Sequence, residues 1–575
     1  MTTPTESARR HILTVALEDY FHVGAFNRLI QRGQWYRFET RLERGALRTL
    51  DLLDEYGIRA TFFALGWIGD TFPEIIRLVA DRGHEIASKG YYHRGIRGMS
   101  PLEFREDLAR AREALERAGG QRVIGYRVAD DWFRPEDLWA LDILAEEGYE
   151  YDSSIGPLFR TWQAEPWRRF SHPHHYGERV LWEFPISSAD ILGWMVPIGG
   201  GNYFRQLPHW LVSRAVANWA SVYSAPLVLY FHTWELDPDQ PRINAAAWTT
   251  RLRQYRHLSR MPEILRHYLS RYQLSGIAEY LGVALPGTEV PARRPPPAAP
   301  VAPPALPAPV TGSPGRTPVT IVIPCYNEEL ILPYLSNTLA SLVKQLSADY
   351  EISFIFVDDC SADNTLDDLD RLFGSRPDCQ ILHHMENRGV AAAIQTGVRH
   401  AETEIVCSID CDCTYDPHEL AHMIPLLEPG VDLVTASPYH PEGRVRNVPG
   451  WRLVLSRGLS RLYRVLVGGG LHTWTSCFRV YRREAALSVE VREGGFLGVA
   501  ELVSKLIIQG RRVVEFPAVL EVRMLGRSKM KILKTMAGHL GLLFRLAVLR
   551  RRGLPALPVS TPTGRGRHSG ERARL

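Results

Sequence analysis

The chain is 575 residues long, which exceeds the size of a single hydrophobic core and predicts two ordinary domains or three small ones. With 45% hydrophobic and 23% charged residues, it has the composition of a globular protein. The net charge of +4 excludes a protein that binds polyanions over its whole surface, so no nucleic-acid partner is expected.

The first part of the chain alternates short apolar runs with helical patterns. Residues 13–17 and 60–64 predict buried strands, and residues 45–56 between them predict a helix. This alternation favours a barrel-like α/β domain over residues 1–285. The polar N-terminus and the acidic pair Glu18 and Asp19 are not expected to form a secretory leader.

The same region carries motifs of one enzyme family. It resembles polysaccharide deacetylases of the branch linked to exopolysaccharide synthesis in residues 14–23 (TVALEDYFHV), 83–93 (GHEIASKGYYH), 125–127 (GYR), 151–154 (YDSS), 197–205 (PIGGGNYFR) and 231–235 (FHTWE). The resemblance covers about residues 11–280 and implies a distorted (β/α) barrel. Such enzymes activate water with a carboxylate base and an Asp/His/His metal site.

The chain departs from this family at the residues that carry the chemistry. Ala16 stands where the family has its Asp base, and Lys89 stands where it has the first metal-binding histidine. Alanine cannot take up a proton, and a protonated lysine has no lone pair for a metal ion. We therefore expect an inactive domain without zinc, which binds glycan or serves as a scaffold. Its degenerate site would comprise Ala16, Glu18, Asp19, Lys89, His93, Arg127 and His232, with Lys89 paired to Glu18 or Asp19.

A proline-rich segment divides the chain. Residues 286–318 contain twelve prolines among Ala, Val and Gly. Proline fixes φ and lacks an N–H donor, so this segment predicts an extended, semi-rigid linker. The predicted organisation is a first domain (1–285), the linker (286–318), a second domain (319–535), a C-terminal helix (536–552) and a basic disordered tail (553–575).

The second domain alternates strands and helices more regularly. Strands are predicted at 319–323, 352–357 and 404–409, and helices at 330–346 and 390–400. The alternation indicates a parallel sheet covered by helices on both faces. Acidic residues follow the strands, at the edge where such sheets bind their ligands.

Five motifs of the second domain occur together in one enzyme family. Residues 322–329 (VIPCYNEE), 356–365 (FVDDCSADNT), 387–393 (NRGVAAA) and 410–419 (DCDCTYDPHE) resemble family-two glycosyltransferases. Residues 523–530 (RMLGRSKM) resemble the distal segment of dolichol-phosphate mannosyltransferases. The order and spacing of the motifs make the resemblance specific. It implies a GT-A fold and an inverting single displacement.

The resemblance also implies roles for individual residues. The nucleotide sugar would be bound by Pro324, Tyr326, Glu328, Asp358 and Asp359. Asp410 and Asp412 would be catalytic and would hold Mg²⁺ or Mn²⁺ against the diphosphate leaving group. Thr414 stands where the family often has Gln, which leaves a third side-chain ligand unassigned.

Two acceptors fit this resemblance. A polyprenyl phosphate is already ionised and needs cations rather than a base, and these would be Arg444, Arg446, Arg457 and Arg523 together with Ser528 and Lys529. A glycan hydroxyl would need a general base, for which Glu501 is the candidate. The distal motif favours the lipid phosphate.

The C-terminal part of the chain is basic. Residues 536–552 predict an apolar helix flanked by Lys and Arg that lies in a membrane interface, and a packed C-terminal helix is the alternative. From residue 523 to residue 575, 13 Lys or Arg stand against the single acid Glu571, which favours an anionic surface. No stretch reaches about 18 uninterrupted apolar residues, so no transmembrane helix is expected.

The cysteines favour a reducing compartment. There are seven, an odd number, and the first 324 residues contain none, which is unlike a disulfide framework. We expect a cytoplasmic protein that is peripheral on the inner face of the membrane. Two alternatives to a glycosyltransferase with an inert first domain are a bifunctional transferase and deacetylase, and a non-catalytic glycan-binding protein.

Overall fold

The computed structural model describes residues 9–156, 161–191, 194–285, 315–448, 450–526 and 532–552. Two compact units are formed. One contains the strands and α-helices between Arg10 and Leu281, and the other contains those between Thr317 and Arg552. Most of the predicted linker and the whole predicted tail lie outside the described residues.

The first unit consists of short strands and helices. Its strands are β1 (Arg10–Leu17), β2 (Thr61–Ala64), β3 (Glu85–Ser88), β4 (Gly125–Tyr126), β5 (Tyr151–Asp152), β6 (His172–Tyr176), β7 (Arg179–Glu183), β8 (Ser188–Ile191), β9 (Trp194–Pro197), β10 (Val228–His232) and β11 (Gln273–Ser275). Its α-helices are α1 (Leu42–Glu55), α2 (Gly66–Thr71), α3 (Pro73–Asp81), α4 (Pro101–Gly119), α5 (Trp139–Glu146), α6 (Asn202–Gln206), α7 (His209–Val222), α8 (Trp248–Tyr255), α9 (Met261–Leu269) and α10 (Ile277–Leu281).

The main sheet of the first unit is an open half-barrel. Its strand order is β10-β1-β2-β3-β4-β5-β7-β6, with β11 also paired to β1. The strands from β10 to β7 run parallel, and β6 forms an antiparallel hairpin with β7 at one edge. The deacetylase-type fold predicted from the sequence is confirmed, in this open form.

Strand β1 lies inside this sheet and is buried from His11 to Leu17. A nearly continuous apolar run is typical of a parallel strand that is covered on both faces. The strand begins earlier than the predicted residue 13, because His11 and Ile12 pair with Leu274 and Ser275 of β11. A pairing so distant in the chain leaves no local pattern in the sequence.

The second unit has longer strands. These are β12 (Thr317–Cys325), β13 (Tyr350–Asp358), β14 (Cys379–His383), β15 (Ile405–Ser408), β16 (Leu433–Ser437), β17 (Arg444–Val445), β18 (Arg479–Arg482), β19 (Val513–Pro517) and β20 (Val519–Leu520). The α-helices are α11 (Leu332–Leu346), α12 (Thr365–Phe373), α13 (Val390–His400), α14 (Leu420–Met423), α15 (Gly450–Leu466), α16 (Arg483–Leu487), α17 (Gly495–Ile508) and α18 (Ile532–Arg552).

The sheet of the second unit has the order β14-β13-β12-β15-β18-β16-β19. Neighbours from β14 to β15 are parallel, whereas β18 runs antiparallel to both β15 and β16. Together with the helices on its faces, this mixed sheet is a GT-A fold, as predicted. The carboxyl ends of β12, β13 and β15 meet at one edge, which brings the motif loops together.

Helix α13 packs closely on this sheet because its inner face is made of small residues. Ala391, Ala393 and Gly397 are buried there. A Cβ at Gly397 would lie 2.2 Å from Cγ1 of Val322 in β12, so glycine is required at this position. Among the described helices, none is long and apolar enough to cross a membrane.

Candidate active site

Glu18 is the centre of a buried cluster at the carboxyl end of the first sheet. Its Oε1 pairs with Nζ of Lys89 and lies 3.4 Å from Nε2 of His93, and its Oε2 lies 3.9 Å from Nε2 of His232. Burial raises the pKa of Glu18, but the charges of Lys89 and His93 outweigh it and hold the pKa well below its usual range. Lys89 therefore contacts one of the two carboxylates that the sequence indicated.

The Asp19 carboxylate is engaged by neighbouring hydrogen-bond donors. Its Oδ2 accepts hydrogen bonds of 2.8 Å from Oγ1 of Thr40 and from the Arg41 amide, and its Oδ1 accepts one from the Tyr20 amide. The carboxylate thus fixes the chain that enters α1.

Ala16 and Arg127 complete the set of degenerate residues. Ala16 is buried in β1, between Phe63 of β2 and His232 of β10 in register. Arg127 donates to Oγ1 of Thr14 and, through Nε and Nη2, to the carbonyl and hydroxyl of Ser153. Its guanidinium thus connects β1 with the residue that follows β5.

In the second unit, the loop after β12 is held by the loop after β13. The Asn327 amide donates to Oγ of Ser361 at 2.8 Å, and the Glu328 amide donates to Oγ1 of Thr365 at 2.6 Å. Asn327 adopts a positive φ of 52°, which turns the chain back on itself. Pro324 is the last residue but one of β12, and the Tyr326 side chain, directly after the strand, is 37% exposed.

Asp358 and Asp359 are buried at the end of β13 and have different partners. Oδ2 of Asp358 accepts a hydrogen bond of 2.8 Å from Nδ1 of His383, and its Oδ1 is buried without a partner among the described residues. Asp359 accepts hydrogen bonds from Nδ1 of His384 and from the amides of Arg388 and Gly389. Asp359 therefore ties the third motif to the second.

Asp410 and Asp412 follow β15. Burial, and then the neighbouring Asp412 carboxylate, raise the pKa of Asp410 to about 7. Two close carboxylates that repel each other in a partly buried site are suited to a hard divalent cation, which binds oxygen ligands. Oδ1 of Asp412 also accepts a hydrogen bond of 3.2 Å from the Thr414 amide.

Arg523 lies at the same edge. Its Nη2 pairs with Oε2 of Glu328, and its Nη1 is 3.5 Å from Oδ2 of Asp412. The structure thus brings together three predicted residues that are separated by up to 195 positions in the chain.

The other predicted acceptor residues are distributed over three elements. Arg444 lies in β17 opposite Val519 of β20, and Arg446 directly follows β17, with its Nη1 3.5 Å from Oε1 of Glu521. Arg457 lies on α15 with its guanidinium 5.5 Å from the Tyr439 ring centre. Ser528 and Lys529 lie outside the described residues.

Glu501, the candidate base, is buried in α17. Its Oε2 accepts hydrogen bonds from the amides of Arg492 and Glu493 at 2.9 and 2.8 Å, and its Oε1 lies 2.6 Å from Nζ of Lys505. Both oxygens are therefore engaged in holding the loop before the helix.

Comparison with known proteins identifies the second unit. The family model for glycosyl transferase family 2 matches residues 320–488. Polyprenol monophosphomannose synthase from Mycolicibacterium smegmatis is 33% identical over 218 residues, which are 36% of this chain and 80% of that protein. The chain belongs to glycosyl transferase family 2. It is a glycosyltransferase, and the alternative of a non-catalytic glycan-binding protein is wrong.

Further relatives of this glycosyltransferase have been characterised. Dolichol-phosphate mannosyltransferase from Pyrococcus furiosus is 28% identical over 232 residues, which are 40% of this chain and 63% of that protein. The crystal structure of glucosyl-3-phosphoglycerate synthase from Mycobacterium tuberculosis in complex with Mn²⁺, UDP and glucosyl-3-phosphoglycerate is 20% identical. That match covers 41% of this chain and 81% of the other, with a TM-score of 0.31.

Two more family models match the first unit of the glycosyltransferase. Polysaccharide deacetylase matches residues 37–130, and a domain of unknown function (DUF3473) matches residues 153–282. The first unit is thus of the polysaccharide deacetylase type, as its motifs predicted.

Some residues near the transferase site escaped the sequence analysis. His383 is the last residue of β14 and His384 follows it, and they contact the two aspartates of the second motif. Arg479 is fully buried, and its Nη1 and Nη2 donate to the carbonyls of Val499 and Trp474. The position of the two histidines at the end of a short strand was the available signal, and Arg479 had none.

Helices α15 and α18 also expose apolar side chains. Tyr463 of α15 and His539 of α18 are buried against each other, with 2.8 Å between the Tyr463 hydroxyl and Nδ1 of His539. On the outside, Val465 is 75% and Phe544 is 73% exposed. Among the side chains that the structure describes in these helices, the other large exposed apolar ones are Trp451, Val454, Leu455, Leu462, Leu466 and Leu540.

Proposed function

We propose that the enzyme moves a sugar from a nucleotide diphosphate sugar to a polyprenyl phosphate, with inversion at the anomeric carbon, in cell-surface or exopolysaccharide synthesis. The observation that carries the proposal is the meeting of Glu328, Asp412 and Arg523 at the carboxyl edge of the sheet. The polyprenol monophosphomannose synthase and dolichol-phosphate mannosyltransferase to which the chain is similar support a lipid phosphate acceptor.

The nucleotide is bound by the loops after β12 and β13, through Pro324, Tyr326, Glu328, Asp358 and Asp359. The buried, unpartnered Oδ1 of Asp358 supports this assignment, because it can accept a hydrogen bond from a ligand. Asp410 and Asp412 would hold Mg²⁺ or Mn²⁺, for which their paired carboxylates are suited. The cation would neutralise the diphosphate as it leaves.

The transfer step forms a bond between an oxygen of the acceptor phosphate and C1 of the sugar, while the C1–O bond to the nucleoside diphosphate breaks. The acceptor is ionised, so no proton has to be removed. The negative charge of the acceptor phosphate would be bound by Arg444, Arg446, Arg457, Arg523, Ser528 and Lys529.

A glycan hydroxyl acceptor is the alternative, and it would need Glu501 as base. The contacts of Glu501 with two amides and with Lys505 favour a role in holding its loop. These contacts therefore support a lipid phosphate as the acceptor. Observed transfer to a glycan primer would favour the glycan hydroxyl instead.

The exposed faces of α15 and α18 support attachment to the cytoplasmic face of a membrane. Apolar side chains such as Trp451, Val465 and Phe544 can insert into the interface, while Arg461 and Arg545, exposed on the same helices, can bind anionic headgroups. A polyprenyl phosphate presents its phosphate at that depth.

The first unit would be an inactive deacetylase that binds glycan or acts as a scaffold. The Lys89 ammonium next to Glu18 supports this role, because it places a positive charge where the family holds a metal ion. The alternative of a bifunctional enzyme would require a base in place of Ala16.

The test is transfer from a panel of nucleotide sugars to a short polyprenyl phosphate, with Mn²⁺ or Mg²⁺. We expect metal-dependent transfer from one donor, reduced by at least about 100-fold in Asp412→Ala, since charge stabilisation of the leaving group is lost. Asp370→Ala, an exposed aspartate on α12, is the matched control. Full activity of Asp412→Ala would contradict the proposed metal site.

A further inference from the structure

Arg523 links carboxylates from two different motifs. One guanidinium nitrogen pairs with Glu328 of the nucleotide loop, and another lies 3.5 Å from Asp412 of the metal motif. The three side chains are between 11% and 18% exposed, so the contacts are largely shielded from solvent. A single cation thus neutralises both sides of the site.

The position of Arg523 is built into the fold. The preceding segment is fixed to the metal-motif loop, because the Glu521 amide donates to the Thr414 carbonyl at 2.9 Å and Leu520 bridges to Tyr415. Nε of Arg523 donates to the Leu525 carbonyl at 2.8 Å. Gly526 has a φ of +72°, and a Cβ there would lie 3.0 Å from Nη2 of Arg523. The glycine therefore leaves room for the guanidinium.

Arg523 and a divalent cation compete for the same carboxylate. A cation bound to Asp412 would place two positive charges next to Nη1, and like charges repel strongly in a partly buried site. Glu328 is a second carboxylate partner of Arg523, through Nη2. The guanidinium also matches a phosphate in geometry and charge.

We propose that Arg523 is the resident counter-ion of Asp412 in the enzyme without donor. When the metal binds, Arg523 gives up its contact with Asp412, and Nη1 of Arg523 then binds a phosphate of the substrates. This inference rests on the proposed function, and it adds an order of events: the metal site is closed by an internal cation until a divalent ion and the donor diphosphate displace it.

The test measures Mn²⁺ affinity of the full chain without any nucleotide, from the electron paramagnetic resonance signal of free Mn²⁺. We expect Arg523→Gln to bind Mn²⁺ about tenfold more tightly than wild type, because one competing charge is removed. Arg523→Lys keeps the positive charge but lacks the two-nitrogen guanidinium group. Its Mn²⁺ affinity should lie between those of wild type and Arg523→Gln. Arg371→Gln, an exposed arginine on α12 paired with Asp368, should equal wild type.

Each result has a distinct meaning. Tighter binding in Arg523→Gln that is lost in Arg523→Gln/Asp412→Ala supports the inference. Equal or weaker binding in both Arg523 variants overturns it, while wild-type binding that depends on Asp412 would leave the proposed function intact. Absence of Mn²⁺ binding in wild type and in both variants would overturn the metal assignment and this inference together. Far-ultraviolet circular dichroism shows whether a variant is misfolded. If Arg523→Gln is misfolded, the Mn²⁺ affinity of Arg523→Lys alone decides the test.

Discussion

At the scale of the residue, the contact between Lys89 and Glu18 shows how a buried carboxylate is neutralised inside the first unit. A buried carboxylate surrounded by His93 and His232 needs a positive partner, and the lysine provides it. The sequence predicted that Lys89 would pair with Glu18 or Asp19. It could not decide between them, because the donors that engage Asp19 belong to Thr40 and Arg41, which are distant in the chain.

Removal of this lysine should destabilise the first unit. We expect Lys89→Met to lower the free energy of unfolding by about 3 kcal/mol at pH 7, because the buried Glu18 loses its partner. Urea unfolding followed by tryptophan fluorescence measures this, since twelve of the 14 tryptophans lie between residues 35 and 248. Arg44→Met, an exposed position on α1, should change it little.

The same variant should alter the dependence of stability on pH. The folded pKa of Glu18 lies below its usual value of 4.5, so the ionised carboxylate stabilises the wild-type fold above that pH and this contribution is lost in acid. Without Lys89, burial raises the pKa, and Glu18 takes up a proton instead. The loss caused by Lys89→Met should therefore be smaller at pH 5 than at pH 7, and an equal loss would argue against the ion pair.

At the scale of the element, α15 and α18 combine packing with exposure. The apolar stretch of α18 was predicted, with a membrane-interface helix and a packed helix as alternatives. Leu542 and Leu543 are buried, whereas Leu540 and Phe544 are exposed. Some apolar side chains of the helix therefore pack against the protein, and others face solvent. The exposed side chains of α15 were not predicted, because an apolar periodicity looks the same whether its face meets the core or solvent.

An acidic residue on either exposed face should weaken membrane binding. We expect Val465→Asp and Phe544→Asp to reduce the fraction of protein that sediments with anionic lipid vesicles by about tenfold, because charge opposes insertion of the apolar face. Leu102→Asp, at an equally exposed apolar position on α4, is the control. If all three variants bind like wild type, α15 and α18 are not the membrane-binding surface.

At the scale of the whole molecule, the second unit carries the glycosyl transferase family 2 match, and we propose that the first unit is an inactive deacetylase. The alternation of strands and helices predicted α/β units, and the resemblance of the motifs to two enzyme families implied the deacetylase-type and GT-A folds. The acidic residues after the strands indicated that ligands bind at the carboxyl edge of the second sheet. The open edge at β6 and β7 was not predictable, because a hairpin pairs by local register and does not reveal whether a barrel closes.

Restoring two family residues tests this division of labour. We expect Ala16→Asp/Lys89→His to bind zinc, since the variant regains the base and a histidine four residues before His93, and an imidazole has the lone pair that an ammonium lacks. Calorimetric titration with zinc measures the gain, with wild type and Ala16→Asp as controls. Zinc bound equally well by wild type, with deacetylation of an acetylated amino-sugar oligomer, would show instead that the enzyme is bifunctional.

The hydrogen bonds of Asp359 have a consequence for the affinity of the proposed nucleotide-sugar donor. Its carboxylate holds the amides of Arg388 and Gly389 and the ring of His384, so the loop of the third motif is ordered by the protein itself. A loop that is already in place gives up little conformational entropy when a ligand arrives. Under the proposed function, the nucleotide sugar meets a loop that is already ordered, and its affinity is not reduced by the cost of ordering that loop.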